Sequence, residues 1–377
     1  MSDYLPFELQ AEIIKRVPVK PLVQFRSVSK RWKALIDSSE FIGAYSLDQT
    51  QLQRLLVWYE EVYSVTQRSW KKVVSFVDGE TSKSIFAEQK INLTALGLAN
   101  PYKDLRVVGS SQGLLCLYES YRGDSCDNTG TTMAVLWNPS IRKSVGIVVP
   151  GVLHWPLQHT ILGFGVCPVT SDPTIVKISN LISMEMVTTA SVVVEVFTLS
   201  TCIWRIASSK LPDKQVSVTL DRVAIDKLIY WFAYHWTDDT SDGLGDNKLI
   251  FSFDMTTQEI SLIDLPCSFA HQSSSSFSIS KVRETLVVVE YRTNNEKQVC
   301  DVWMMTHGVP NLFTKLYTIN NTLYGSINIL GFTKSGGALL EASDDYWDRA
   351  DFILYEHCPE NFKYTGLYIC SIQFGFC

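Results

Sequence analysis

Residues 227–235, KLIYWFAYH, and 248–266, KLIFSFDMTTQEISLIDLP, decide the fold. Both are short apolar runs rich in β-branched and aromatic residues, closed by polar turn residues, which is the composition of strands. Together they make a unit: an apolar strand, a polar loop, a second strand ending in an aromatic, a tight turn and a third strand. The same unit occurs at 113–120 with 133–150, at 174–181 with 192–212, at 285–292 with 299–319, and at 337–344 with 351–367. The aromatic before the turn is Trp137, Phe197, Phe253, Trp303 and Tyr355 in the five copies. Successive copies lie roughly 50–60 residues apart, the period of a propeller blade of three or four strands.

A four-stranded blade leaves apolar faces that only neighbouring blades can cover, and a ring of them covers all. Residues 46–377 hold about six such units, so the expected architecture is a kelch-like β-propeller of six blades. A large β-sandwich is the alternative. RLLVWYEEVYSV at 54–65 and SWKKVVSFV at 69–77 read as a degenerate first blade. A last strand around Leu367–Phe376 is expected to pair with these early strands and close the ring.

Ahead of the repeats, residues 5–45 read differently. Pro6 suits the first turn of a helix. Leu9, Ile13 and Ile14 follow at helical spacing. Pro18 ends that helix, Pro21 opens a second with Leu22 and Phe25, and Ser29 N-caps a third holding Trp32, Leu35 and Ile36. About forty residues bury too little surface to be stable on their own, so leftover apolar side chains need a partner surface. The expected organisation is a helical domain at 1–45, a connecting segment at 46–60 and a β domain at 61–377.

The order LPFE, an apolar helix, VPVKPLVQFRSVSKRW and an aromatic-rich tail resembles an F-box, with Ser27 where relatives more often carry Cys. The resemblance implies an N-terminal all-α F-box that docks on a Skp-type adaptor, and through it on a cullin-RING ubiquitin ligase. It implies an adaptor-facing set of Leu5, Pro6, Ile13, Ile14, Leu22, Phe25, Val28 and Trp32. Further on, GSSQGLLCL at 109–117, LWNPSIRK at 136–143, GFGVCP at 163–168, 249–266 and DVWMMTHG at 301–308 resemble the plant F-box-associated domain with its kelch-related repeats. That resemblance implies a substrate receptor, a non-catalytic subunit that holds a target protein for ubiquitination. Relatives of this layout include pollen F-box proteins that recognise stylar ribonucleases in self-incompatibility. A non-degradative F-box scaffold or inhibitor, or an enzyme built on a propeller, are the alternatives.

Composition agrees with an ordinary globular chain: 46% of residues are hydrophobic and 19% charged, with net charge −6. The acidic balance argues against a general nucleic-acid binder. Residues 1–45 hold seven Lys/Arg against five Asp/Glu, so the excess of acid lies in the β region. No basic-then-apolar leader opens the chain, and no apolar run approaches the roughly 20 residues that span a bilayer. Nine cysteines without a CxxC pair read as thiols of a reducing compartment, cytoplasm or nucleus.

The chemistry-like signals are weak. Gly109-Ser110-Ser111-Gln112-Gly113 fits the hydrolase elbow G-x-S-x-G, but LLCLYES follows where a helix is needed, so a tight β-turn is expected. His154 and His159 are five apart with no carboxylate between them, and His357-Cys358 has no further ligand nearby. No metal site and no cofactor is expected. Trp58, Trp70, Trp204 and Trp231 read as inter-blade packing. The polar loops carry more. In every repeat the loops at 120–132, 182–190, 236–247, 292–298 and 343–350 join the same two strands, so a propeller gathers them on one face. Asp238, Asp239, Asp242, Asp246, Asp344, Asp345 and Asp348 make that face acidic, a surface for a target of complementary charge.

Overall fold

The computed structural model describes residues 5–38, 41, 45, 54–64, 67–77, 86–88, 104–120, 132–138, 143–151, 160–181, 191–207, 216–235, 247–266, 275–294, 297–306, 311–321, 324–333, 335–343, 350–357, 361–369 and 372–376. Three short helices come first: α1 (Phe7–Lys15), α2 (Val19–Phe25) and α3 (Lys30–Ile36). Pro6 precedes α1 as its N-cap, and Pro18 both ends that segment and N-caps α2. Pro21 sits in the first turn of α2, where a missing N–H removes no helical bond. The Ser29 hydroxyl accepts the Trp32 N–H at 3.1 Å and starts α3. Ile14, Leu22, Ile36, Phe41 and Tyr45 form the small core of this module, and the Tyr45 hydroxyl donates to the Val17 carbonyl at 2.7 Å.

The rest is strand. β1 (Arg54–Ser64), β2 (Gln67–Val77) and β3 (Phe86–Glu88) share a sheet with β24 (Ile372–Phe376), in the order β24-β1-β2-β3. The second sheet runs β4 (Asp104–Ser111), β5 (Leu114–Ser120), β6 (Thr132–Asn138), β7 (Lys143–Val149). The third holds β8 (Ile161–Val166), β9 (Pro173–Leu181), β10 (Ser191–Thr198) and β11 (Ile203–Ile206). The fourth holds β12 (Val216–Ile225), β13 (Leu228–His235), β14 (Asn247–Asp254) and β15 (Ile260–Asp264). The fifth holds β16 (Ser276–Val282), β17 (Thr285–Asn294), β18 (Lys297–Met305) and β19 (Phe313–Asn320). The sixth holds β20 (Ser326–Phe332), β21 (Ala338–Ser343), β22 (Ala350–Glu356) and β23 (Asn361–Ile369). Neighbouring strands pair antiparallel throughout each sheet, as the registers of the fourth sheet illustrate. First strands of successive sheets lie against one another, β24 to β4, β4 to β8, β8 to β12, β12 to β16 and β16 to β20. The sheets are therefore blades of a propeller, with those strands innermost. Two stacked layers, the sandwich alternative, would not bring first strands together in this sequence.

Alternation along the strands explains the ring. In β14, Leu249, Phe251 and Phe253 join one buried cluster with the third sheet, while Ile250 joins another with the fifth. In β17, Val288 faces the fourth sheet while Val287 and Val289 face the sixth. Inner strands must fit where blades crowd, and GFGVCP shows how. Leu162, Phe164 and Val166 of β8 pack toward the second sheet. Gly163 faces the fourth sheet, where an added Cβ would lie 2.2 Å from the Trp231 ring.

Three expectations need correction. Residues 46–60 are not all connection, because β1 begins at Arg54. The segment Leu367–Phe376 is split. Residues to Ile369 belong to β23, while Ile372–Phe376 closes the first sheet, with Leu55 opposite Phe376 and Tyr59 opposite Ile372. The supposed loop at 292–298 is largely paired strand, with Thr293 opposite Gln298 and Asn294 opposite Lys297.

Blade five holds a buried polar cluster. Asp301 accepts from Lys315 Nζ and from the Thr318 hydroxyl, each at 2.6 Å, and pairs with Arg292. Burial opposes its charge, but these partners outweigh it and hold its carboxyl below the usual carboxylate range. Its contribution to stability is thus present above the unfolded pKa of about 3.9 and lost as pH falls through the lower folded value. Asp301→Asn is expected to lower unfolding stability by about 1–3 kcal/mol at pH 7, and denaturant melts should show the deficit shrinking as pH drops below about 3.9. Gly163→Ala is expected to destabilise by about 1–3 kcal/mol through overpacking against Trp231. Gly151→Ala, with open space around its Cβ, is the control and should melt like the parent.

Candidate functional site

Helix α1 carries two apolar stripes. Ile14 is 1% exposed and points into the helical core, while its neighbour Ile13 is 56% exposed. Leu9, one turn before Ile13, is exposed as well, so the two make an outward stripe at i,i+4 spacing. Leu5, Val23 and Val28 are further exposed aliphatics of the module, Val28 at 61%. Five exposed aliphatics within 24 residues of a small helical unit are a partly dry surface with no cover among the described residues.

The expected adaptor-facing set therefore divides. Leu5, Pro6, Ile13 and Val28 lie on the exposed surface. Ile14 and Leu22 do not. They are buried at 1% and 5% because this module needs them as its own core. Phe25 and Trp32 are half-buried, their rings 5.4 Å apart, and pack on that core. The Trp32 indole N–H donates to Gln10 Oε1 at 3.0 Å, and Gln10 Nε2 donates to the Leu5 carbonyl at 2.8 Å. That relay positions the segment before α1. Leu9 and Val23 were missing from the sequence-based set. The signal for Leu9 was its i,i+4 relation to Ile13. Arg26 and Asp37, 2.7 Å apart, brace α2 against α3, and their hydrogen bond holds the Asp37 carboxyl below its ordinary range.

The propeller has two unlike ends. Where first strand turns into second, and third into fourth, the links are mostly tight and several adopt left-handed backbone. Gln112, Ser171, Asp226 and Arg283 have positive φ in the former links, and Cys202, Gln258 and Asn311 in the latter. The opposite end carries the links between second and third strands. In four of the sheets those links, residues 121–131, 182–190, 236–246 and 344–349, lie outside the described residues. Asp238, Asp239, Asp242, Asp246, Asp344, Asp345 and Asp348 all belong to those stretches and lie outside the described residues.

At the ring's centre a cavity of about 310 Å³ is lined by residues of the inner strands, Ser110, Asp221, Arg222, Ser280, Lys281 and Asn328 among them. Arg222 crosses it. Its Nε donates to the Val108 carbonyl at 2.7 Å, its Nη2 to Val107 and its Nη1 to Leu220 at 2.6 Å. Desolvation pushes its pKa down to about 10, which still leaves it charged at neutral pH. Donors already committed to backbone carbonyls make Arg222 a tie between β12 and β4.

Nothing in the described geometry assembles catalytic chemistry. Ser111 Oγ accepts the Val166 N–H at 3.1 Å, and Gln112 and Gly113 form a left-handed turn between two strands, so G-x-S-x-G here is a hairpin. His357 stacks on the Tyr317 ring at 4.8 Å. His154, His159 and Cys358 lie outside the described residues. No group of three or more potential metal ligands occurs among the described residues. Trp231 is fully buried between the third and fourth sheets, and Trp204 donates from its indole to the Val148 carbonyl of the neighbouring sheet at 2.9 Å. Both pack between blades. The side chains of Trp58 and Trp70 lie outside the described set.

Comparison with known proteins matches this division. Residues 3–42 match the F-box domain, and residues 81–335 match the F-box associated beta propeller domain. A putative F-box/kelch-repeat protein of Arabidopsis thaliana is 22% identical over 393 aligned positions, covering 96% of this chain and 96% of the relative. A putative F-box protein of the same plant is 27% identical, covering 71% of this chain and 62% of the relative. With a helical module of exposed aliphatics ahead of a propeller, and a family match over most of its length, the chain belongs to the F-box proteins that carry an F-box-associated β-propeller domain.

Proposed function

We propose that this chain is the substrate-recognition subunit of a Skp–cullin–F-box ubiquitin ligase. The F-box grips the adaptor, the propeller holds a target protein, and the ubiquitin-transfer chemistry belongs to other subunits. The gain for transfer is proximity: a held target presents its lysines at high effective concentration. The observation that carries this proposal is the second apolar stripe on the F-box. Leu9, Ile13 and Val28 are left outside a core that Ile14, Leu22 and Ile36 already complete. Family membership supports a receptor of this kind, since F-box domains generally bind Skp-type adaptors. The loop end of the propeller, with its seven sequence-assigned aspartates, is the surface proposed for the target. Cys116, Cys167, Cys202 and Cys300 are unpaired thiols, which suits a reducing compartment, cytoplasm or nucleus.

Burying an aliphatic side chain of this size is worth about 1.5–3 kcal/mol, and about 1.4 kcal/mol is tenfold in affinity. Leu9→Asp with Ile13→Asp is therefore expected to weaken binding to a purified Skp-type adaptor by about 100-fold or more, measured by calorimetry. Circular dichroism should show no change in the melt of the β domain. Undiminished affinity would remove the adaptor role from this stripe. Ile14→Ala should behave differently from Ile13→Ala. It is expected to destabilise the helical module by about 2–5 kcal/mol by opening a cavity, and hydrogen exchange of the module reads this directly.

A further inference from the structure

We infer that the F-box module, with whatever adaptor it carries, sits at the tight-turn end of the propeller, so that the loop end faces away from it. Strand order fixes this. In the second to sixth sheets the innermost strand passes to its neighbour through a short link at the turn end. Examples are Gln112–Gly113 between β4 and β5 and Arg283–Glu284 between β16 and β17. In the first sheet the innermost strand is β24 and its neighbour is β1. The two are antiparallel, with Leu55 opposite Phe376 and Tyr59 opposite Ile372. The start of β1 and the end of β24 therefore stand together where the other blades have a turn. The F-box enters the propeller at that point, Arg54.

The tether is too short to carry the module elsewhere. Tyr45 is packed in the helical core and Arg54 is already in the sheet. The chain between them reaches about 30 Å at full stretch, at no more than ~3.6 Å per residue. To reach the loop end it would first have to clear β2 and β3, which lie outside β1 at about 4.8 Å per strand. It would then have to run the length of a blade, roughly 25–35 Å for strands of this size. The sum exceeds the tether before the module's own radius is counted. The end at which second strands finish and third strands begin is thus left on the side away from the module. The F-box placement stands on topology alone. Its meaning for target capture rests on the receptor role proposed above.

Strand β17 offers a test, because Glu284 and Thr293 are exposed residues at its two ends and at the same sheet. A donor dye is placed at exposed Lys33 in α3 of the full-length chain, and an acceptor at Glu284 in one sample and Thr293 in another. Transfer efficiency is read with and without a purified Skp-type adaptor. The Lys33–Glu284 pair is expected to be the closer in both conditions, by up to about the length of the strand, ~30 Å. A Lys33–Thr293 distance equal to or shorter than Lys33–Glu284 overturns the placement. Loss of adaptor binding with the distance order retained would count against the ligase role and leave the placement standing, so the two failures are separable.

Discussion

The second to sixth sheets of the β domain bury apolar side chains on both faces, and that constraint organises the molecule. A sheet such as β12–β15 presents Trp231, Phe251 and Phe253 to one side and Phe232 and Ile250 to the other. Neither face survives in water, so a blade is stable only between two blades. A row of such sheets always ends in two bare faces, and a ring has none. The first sheet therefore has to be finished by the far end of the chain. β24 does this across the whole length of the sequence, with its residues Ile372–Phe376 lying beside Leu55–Tyr59. Pairing across so large a sequence separation carries a greater loop-closure entropy than pairing within a hairpin.

Closing the ring creates a second difficulty, the free inner edge of each first strand. Several backbone groups along those edges, in β4, β12 and β20, bond to side chains from other blades. Arg222 supplies donors to two carbonyls of β4, Lys281 Nζ donates to the Ala224 carbonyl at 3.1 Å, and the Tyr291 hydroxyl accepts the Ile329 N–H at 3.0 Å. Bulges fall in three of these strands, between Val107 and Gly109, Val218 and Arg222, and Ile329 and Gly331. Bulges re-aim side chains and locally twist a strand, and here they occur where polar groups must cross the axis.

The same crowding explains what could be read from sequence and what could not. The second and third strands of the second to sixth sheets are mostly apolar runs, and Trp137, Phe197, Phe253, Trp303 and Tyr355 all fall on third strands. Period and composition expose them. Several inner strands mix small and polar residues with the apolar ones. VSVTLDRVAI and SFSISKV alternate apolar and polar residues only over Val216–Leu220 and Phe277–Ile279 and then turn to charge, and DLRVVGSS ends in glycine and serine, so each gives a shorter apolar signal than a second or third strand. In the F-box, helical spacing located α1 but did not distinguish its two stripes. Ile13 and Ile14 are adjacent, equally apolar and on opposite duties. Only the packing of α2, α3 and Phe41 shows which of them is core.

The two ends of the propeller are under different physical demands. Links at the turn end must reverse direction within a few residues, and several do so with left-handed backbone at non-glycine positions such as Asp226 and Arg283. Such positions tolerate few substitutions, since most side chains pay for positive φ. Links between second and third strands are longer in four of the sheets and carry no such closure requirement. The helical module joins the propeller at Arg54, at the end where the other blades make their short first-to-second turns, so its tether meets the part of the fold whose backbone geometry is most tightly set.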